Sequence, residues 1–376
     1  MGSCANAAIV ESGASVASSA APQRRLVLDG LRGIAAFGII LDHVNSEFLR
    51  DLTPGRYLAV DFFWVLSGFV LALGYGERLS GAMSPLEFMR HRLIRLYPLY
   101  LAGLSLGLVA ALLPWLTGDG GSALNRTMIA SIFVAGVLFV PFPPIWSGTG
   151  QHMFPMNGPS WSLFFELVAN IIYAVVAKFL TIRNLSVMVG ICAIFFMIIA
   201  PQHPPGAGWQ WPHAIAGFAR VMFCFFAGVL IYRIRPWITL PRIPSWLSIC
   251  GYMAIIMMPV PEEFRSAFNI VVALVAMPIL VLVASDSSVG PVQAKVFTTL
   301  GMLSYGVYVL HVPIWTLIAF VETKAGVNLP GFVNVLMVGT ISVILAWVGN
   351  YLYDVPLRRW LMKITKPRAL VGHSHV

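Results

Sequence analysis

The sequence predicts an all-α integral membrane protein, a polytopic helix bundle of about ten spans with both termini cytoplasmic. Three observations carry this reading. Of its 376 residues 58% are apolar and only 10% are charged, against roughly 45–50% and ~25% in an average soluble domain. So few charges cannot cover a water-facing surface. Apolar runs recur along the chain between short polar stretches, at the ~20 residues that a helix needs to cross a bilayer. Lysine and arginine fall on alternate connections, as they do when basic loops stay on the cytoplasmic side.

Residues 1–23 are rich in Ala, Ser and Gly. They lack the basic start and apolar centre of a cleaved signal peptide, so they are expected to be a disordered tail. The candidate spans that follow are 33–50, 58–75, 96–116, 160–178, 185–200, 214–232, 246–260, 267–284, 299–320 and 331–353. They build one membrane domain over 24–362, followed by a basic cytoplasmic tail at 363–376. The apolar segment 127–141 is short for a crossing. If it stays at the outer face, seventeen loop Lys and Arg lie inside and five outside; if it crosses, the count inverts to eight against fourteen. The first arrangement fits the charge rule. The segment is then re-entrant or interfacial and leads into the Pro/Gly-rich stretch 141–160, a candidate lid or acceptor-binding element.

The formal charge of +9 is explained by cytoplasmic loops facing anionic headgroups and needs no nucleic-acid partner. Cys4, Cys192, Cys224 and Cys250 show no metal-ligand spacing, so no metal site is expected. No internal repeat is visible, which disfavours transporter folds built from duplicated halves.

Polar side chains inside apolar helices are costly, so they tend to mark a site or a pathway. The stretch 28–44 carries Arg32 and His43 eleven residues apart, on one helix face and about 16 Å apart along the axis. Asp29 lies on the same face beneath Arg32, Asp42 adjoins His43, and Glu47 lies one turn beyond. At 88–100, Arg90, Arg92 and Arg95 cluster before the third span. Paired guanidiniums suit phosphate recognition, although from the residues alone an ordinary positive-inside anchor is the better account of them. In 159–175, Ser162 and Glu166 are four apart, and Asn170 and Tyr173 continue the stripe. In 303–314, Ser304, Tyr308 and His311 recur at i, i+4 and i+7. Such stripes face protein or a water-filled cavity, and interhelical hydrogen bonding alone also explains them.

Taken together, these stretches resemble the membrane-bound acyltransferase type 3 family, which includes O-acetyltransferases of surface polysaccharides and acyltransferases of macrolides. Arg32 and His43 meet its Arg-x10-His pattern, and Arg90 and Arg92 its Arg-x-Arg. Phe62 to Phe69 match Phe-Phe-x-Leu-Ser-Gly-Phe with Trp64 inserted. Trp161, Ser162 and Leu163 precede Glu166, one residue later than usual, and Ser304, Tyr305, Tyr308 and His311 match Ser-Tyr-x-x-Tyr-x-x-His. Asp354 stands where the family more often has Glu before Pro. The likeness covers roughly 24–362, without an added soluble transferase domain.

The resemblance implies transfer of an acyl group, commonly acetyl from acetyl-CoA, to the hydroxyl of a sugar or lipid-linked saccharide at a cell (inner) membrane. Acyl-CoA is then a co-substrate and no cofactor is resident. His43 is the candidate base, since imidazole titrates near neutrality, with Asp42, Glu47 or Glu166 to orient it. Arg90, Arg92 and Arg95 would bind the CoA phosphates, and Arg32 would hold the pantetheine end or polarise the thioester. Arg32, His43 and Glu166 are the catalytic candidates; Asp29, Asp42, Ser162, Ser304, Tyr308 and His311 support them. A macrolide-type acceptor, or export of a lipid-linked product along the same polar path, are the alternative readings.

Overall fold

The computed structural model describes residues 8–44, 47–118, 124–144 and 150–365, with side chains for 26–44 and from 49 onward within those ranges. Among them every regular element is helical. In chain order these are α1 (Ala8–His43), α2 (Glu47–Leu52), α3 (Ala59–Ser80), α4 (Pro85–Leu116), α5 (Arg126–Val137), α6 (Ser160–Val176) and α7 (Ile182–Ile199). There follow α8 (Ala214–Ile234), α9 (Ser245–Met257), α10 (Glu262–Val271), α11 (Met277–Ala284), α12 (Pro291–Ala325), α13 (Gly331–Gly349) and α14 (Val355–Ile364). Two wide π-helical turns, Val272–Ala276 and Asn350–Asp354, join α10 to α11 and α13 to α14.

Among the described residues eight helical stretches are long and apolar enough to cross a membrane, and Arg126–Val137 and Ser245–Met257 are shorter apolar helices. The expected span at 246–260 thus appears as the thirteen-residue α9, and the ambiguous segment 127–141 as the twelve-residue α5. The first expected span, 33–50, is broken: α1 stops at His43 and a separate helix starts at Glu47. Helix α1 begins at Ala8, inside the stretch expected as a tail. Most of the tail at 363–376 lies outside the described residues.

Helix ends follow local chemistry. Ser84 caps α4 by accepting the Glu87 amide at 3.1 Å, with Pro85 in the first turn where its missing N–H costs nothing. Asn125 and Thr181 cap α5 and α7 in the same way, and Gly326, at φ 66°, closes α12 in the left-handed conformation.

Two helix pairs position the site. Helices α1 and α12 run side by side in the same direction. A side chain at Gly33 would overlap Leu300, and one at Gly30 the Phe297 ring. Helices α3 and α8 cross where Gly68 meets the Phe225 carbonyl and Gly228 the Val65 carbonyl, with no room for a methyl group at either. Small residues allow such approach in lipid, where dispersion replaces the hydrophobic effect between helices. The α3–α8 crossing also holds a buried ion pair: Arg220 grips Asp61 through Nε and Nη2 at 3.0 and 2.7 Å. The same guanidinium donates to the Ala207 carbonyl at 2.7 Å and lies 5.4 Å from the Trp64 ring.

Candidate active site

Between α1, α3, α4, α6 and α12 lies a cavity of about 850 Å³, partly open. Arg32, Ser67, Arg92, Arg95, Glu166 and Ser304 give it a polar lining, and Val60, Phe63, Leu66, Val70 and Leu163 an apolar one. Ser162 and Tyr308 line it too.

Arg32 reaches the cavity because the tight α1–α12 contact presses its face of α1 onto α12. Its Nε donates to Ser304 Oγ at 3.0 Å and its Nη2 to the Gly301 carbonyl at 2.8 Å. Asp29, one turn earlier, sits 2.8 Å from the same Nη2. The guanidinium is therefore fixed in orientation, and none of these contacts uses Nη1.

Glu166 and Arg92 face each other across the cavity at 2.7 Å, each only 12% exposed. Ser67 adds a hydrogen bond to the same carboxylate oxygen at 2.6 Å. Both partners of Glu166 are thus on α3 and α4, and it does not sit beside His43. Asp42 is also engaged elsewhere, at 2.8 Å from Arg56 Nε. The Glu47 side chain lies outside the described residues. Arg90 does not line the cavity; its Nη1 donates to the Thr365 carbonyl. Arg95 lies over the Tyr305 ring at 5.8 Å. Asn170 and Tyr173, the rest of the α6 stripe, are buried beyond the lining.

The residue that meets His43 is His311. Its Nε2 is 3.2 Å from His43 Nδ1, and the rings pack edge to face with centroids 4.9 Å apart. Each Nδ1 also lies 3.1 Å from a carbonyl of its own helix, Ile39 for His43 and Val307 for His311. A carbonyl can only accept, so each Nδ1 carries its proton. The His311 Nε2 lone pair then accepts from His43 Nδ1–H, which is shared with Ile39. His43 Nε2 makes no contact within the pair and lies on an exposed side chain.

Tyr308 separates the two halves of the site. Its hydroxyl is 2.5 Å from Ser162 Oγ, its ring meets Phe63 edge to face at 5.6 Å, and its other side lies 6.0 Å from His311. Arg32, Arg92 and Glu166 are on the cavity side of this plug and the histidine pair is beyond it. Arg32 and His43 both face α12, at Ser304 and His311.

Several features escaped the sequence reading. Ser67 lies in the Phe62–Phe69 run, but nothing in the run marks it as a partner of Glu166. The Asp61–Arg220 pair had a signal, since an Asp and an Arg each lie inside an apolar stretch. Asp354, fully buried in the second π-helical turn, pairs with Arg358 at 2.6 Å and lies 3.9 Å from Arg95.

A family profile described as an acyltransferase domain matches residues 25–351. Protein 2 in the picA locus of Rhizobium radiobacter is 38% identical over 194 residues, which is 49% of this chain and 99% of that protein. The O-acetyltransferase OatA of Staphylococcus aureus (strain NCTC 8325 / PS 47) is 41% identical over 73 residues, 19% of this chain. That match spans only 11% of OatA's own length. No solved structure matches significantly.

Proposed function

Because the chain belongs to the Acyl_transf_3 family of membrane acyltransferases, we propose that it moves an acyl group, acetyl in the simplest case, from cytoplasmic acyl-CoA to a sugar hydroxyl at the outer face. The acceptor would be a precursor of a cell-surface or exopolysaccharide, which the O-acetyltransferase relative supports. In an arrangement of ten spans with both termini inside, the Arg92 and Arg95 end of the cavity would face the cytoplasm and His43 the outside.

The single observation that carries the reading is the division of labour along α12. Beside Ser304 is a cavity with a cationic end; beyond the Tyr308 plug, at His311, is a second imidazole whose Nε2 is free to take a proton. Thioester aminolysis and alcoholysis both need such a base, together with a donor aimed at the developing oxyanion. Arg32, held rigidly by Ser304, Gly301 and Asp29 on the cavity side of Tyr308, is too far along α1 from His43 to serve the same carbon and suits the pantetheine end of the donor instead.

In the forward step His43 Nε2 takes the acceptor hydroxyl proton as the hydroxyl oxygen bonds to the thioester carbonyl carbon. The tetrahedral intermediate then breaks its C–S bond, and the proton on His43 passes to the departing CoA sulfur. The products are an O-acyl ester and CoA thiol. His311 keeps His43 in the tautomer that leaves Nε2 unprotonated. Tyr308 and Phe63 must move aside for the thioester to reach the acceptor hydroxyl held at that nitrogen. Glu166 acts on the other side of the plug, neutralising Arg92 and holding it in place.

The test is purified protein in liposomes with radiolabelled acetyl-CoA and a membrane extract as acceptor source. Label on a saccharide with release of CoA thiol supports the reading, and His43→Ala should lower the rate by about 10²–10⁴-fold, the usual worth of a positioned base. Wild-type acetylation by that variant would refute it. Movement of an unlabelled saccharide across the bilayer without acetylation would point to transport instead.

A further inference from the structure

A second hollow opens beside the first, and Arg92 and Arg95 border both. It is a broad, open hollow with α4 on one side and α14 on the other. Helix α14 contributes Val355, Arg358, Arg359, Met362 and Lys363. These recur at i, i+3, i+4, i+7 and i+8, which is one helical face. A helix packed for stability alone would fill that face with apolar side chains; here three of the five are cations, and two of them, Arg359 and Lys363, are exposed.

The arrangement is built rather than loose. The π-helical turn Asn350–Asp354 tucks the Asp354 carboxylate inside, where it holds Arg358 at 2.6 Å. Wide turns of this kind recur at functional positions. At the other end of α14, Arg90 ties the Thr365 carbonyl to α4. Of the five cations that line the hollow, Arg92 is paired with Glu166, and Arg95 and Arg358 share Asp354. Arg359 and Lys363 are exposed and have no acidic partner among the described residues. The hollow therefore keeps a positive excess next to the passage into the apolar cavity. Helix α14 begins at Val355, past the end of the family match at residue 351.

We propose that α14 is one wall of an anion site for the donor, with Arg358, Arg359 and Lys363 holding the nucleotide phosphates of acyl-CoA. The pantetheine arm then passes between Arg92 and Arg95 into the apolar cavity. The inference rests on acyl-CoA being the donor, and it moves the phosphate grip from Arg90 to the last helix. Guanidinium and ammonium groups of this kind recognise phosphate monoesters and diesters in general. Lipid headgroups carry the same chemistry, but a headgroup site has no need of the apolar cavity that this hollow joins through Arg92 and Arg95.

The experiment separates the two sources. The full chain and its Arg359→Gln/Lys363→Gln variant are placed in nanodiscs of neutral phosphatidylcholine, and CoA binding is titrated at low and at 0.5 M salt. Both substitutions are at exposed positions, so the fold should survive them. A charge-assisted contact is worth several-fold to about a hundredfold. The Kd for CoA should rise about 10- to 100-fold in the variant, and high salt should narrow the difference. An unchanged CoA Kd overturns the inference and leaves the acyl-CoA reading intact; lost binding to phosphatidylglycerol vesicles in that case assigns the cations to lipid. A wild-type chain that binds no CoA overturns both.

Discussion

Replacing His311 by Phe tests the histidine pair more sharply than removing His43. Phe keeps a ring of similar size in a fully buried position and removes the Nε2 acceptor that faces His43 at 3.2 Å. His43 Nδ1–H keeps its bond to the Ile39 carbonyl but loses half of what selects its tautomer. A neutral hydrogen bond contributes ~0.5–1.5 kcal/mol net, and at 1.36 kcal/mol per tenfold its loss lowers the ratio of the base-competent tautomer to the other by about 2- to 13-fold. The kcat for CoA-thiol release should fall by no more than that factor, with the donor KM unchanged because the donor cavity lies beyond Tyr308. In a His43→Ala background the same substitution should add nothing. The reasoning is refuted if His311→Phe alone costs as much as His43→Ala, or if it lowers the residual rate of the His43→Ala protein, since His311 would then act on the substrate directly.

Three further outcomes follow from the packing. Glu166→Gln strands a nearly buried Arg92, and removing one partner of such a pair typically costs ~3–5 kcal/mol; thermal unfolding in detergent should show a clear drop in Tm, and wild-type stability would mean that Arg92 finds water. Asp61→Ala leaves Arg220 buried without its carboxylate, with a loss of the same size expected by the same measurement, and no effect on the CoA Kd because the pair lies outside both hollows. Gly33→Leu forces α1 off the Leu300 backbone, so membrane-inserted yield should fall sharply; a normally folded, active variant would show that the α1–α12 contact is not needed.

What the sequence revealed was the periodicity and what it hid was the pairing. Arg32, His43, Ser304 and His311 could be placed on helix faces from spacing alone, because a 100° step fixes which residues look the same way. Which faces meet is decided by tertiary contact, so Glu166 was equally plausible beside His43 or beside an arginine, and only the helix arrangement put Arg92 there. The short α9 and the break after His43 were invisible for a different reason: hydropathy records whether a stretch suits lipid, not where its hydrogen-bonded ladder stops. The cations of α14 had been read as topology, since a charge count treats every arginine alike and the inward turn of Asp354 has no sequence mark.

The contact between α1 and α12 bears on how the protein is made. Arg32 and Ser304 are separated by 272 positions, and chains grow at ~5–20 residues per second. The first helix is therefore made on the order of 10–60 s before its main partner exists. During that interval the Ser304 hydroxyl and the Gly301 carbonyl are not yet synthesised, and Asp29 is the counter-ion Arg32 carries with it on the same helix, one turn away. The carboxylate that steadies the guanidinium in the finished site thus also accompanies it through synthesis, and a chain truncated before α12 would hold a first helix with no site to complete.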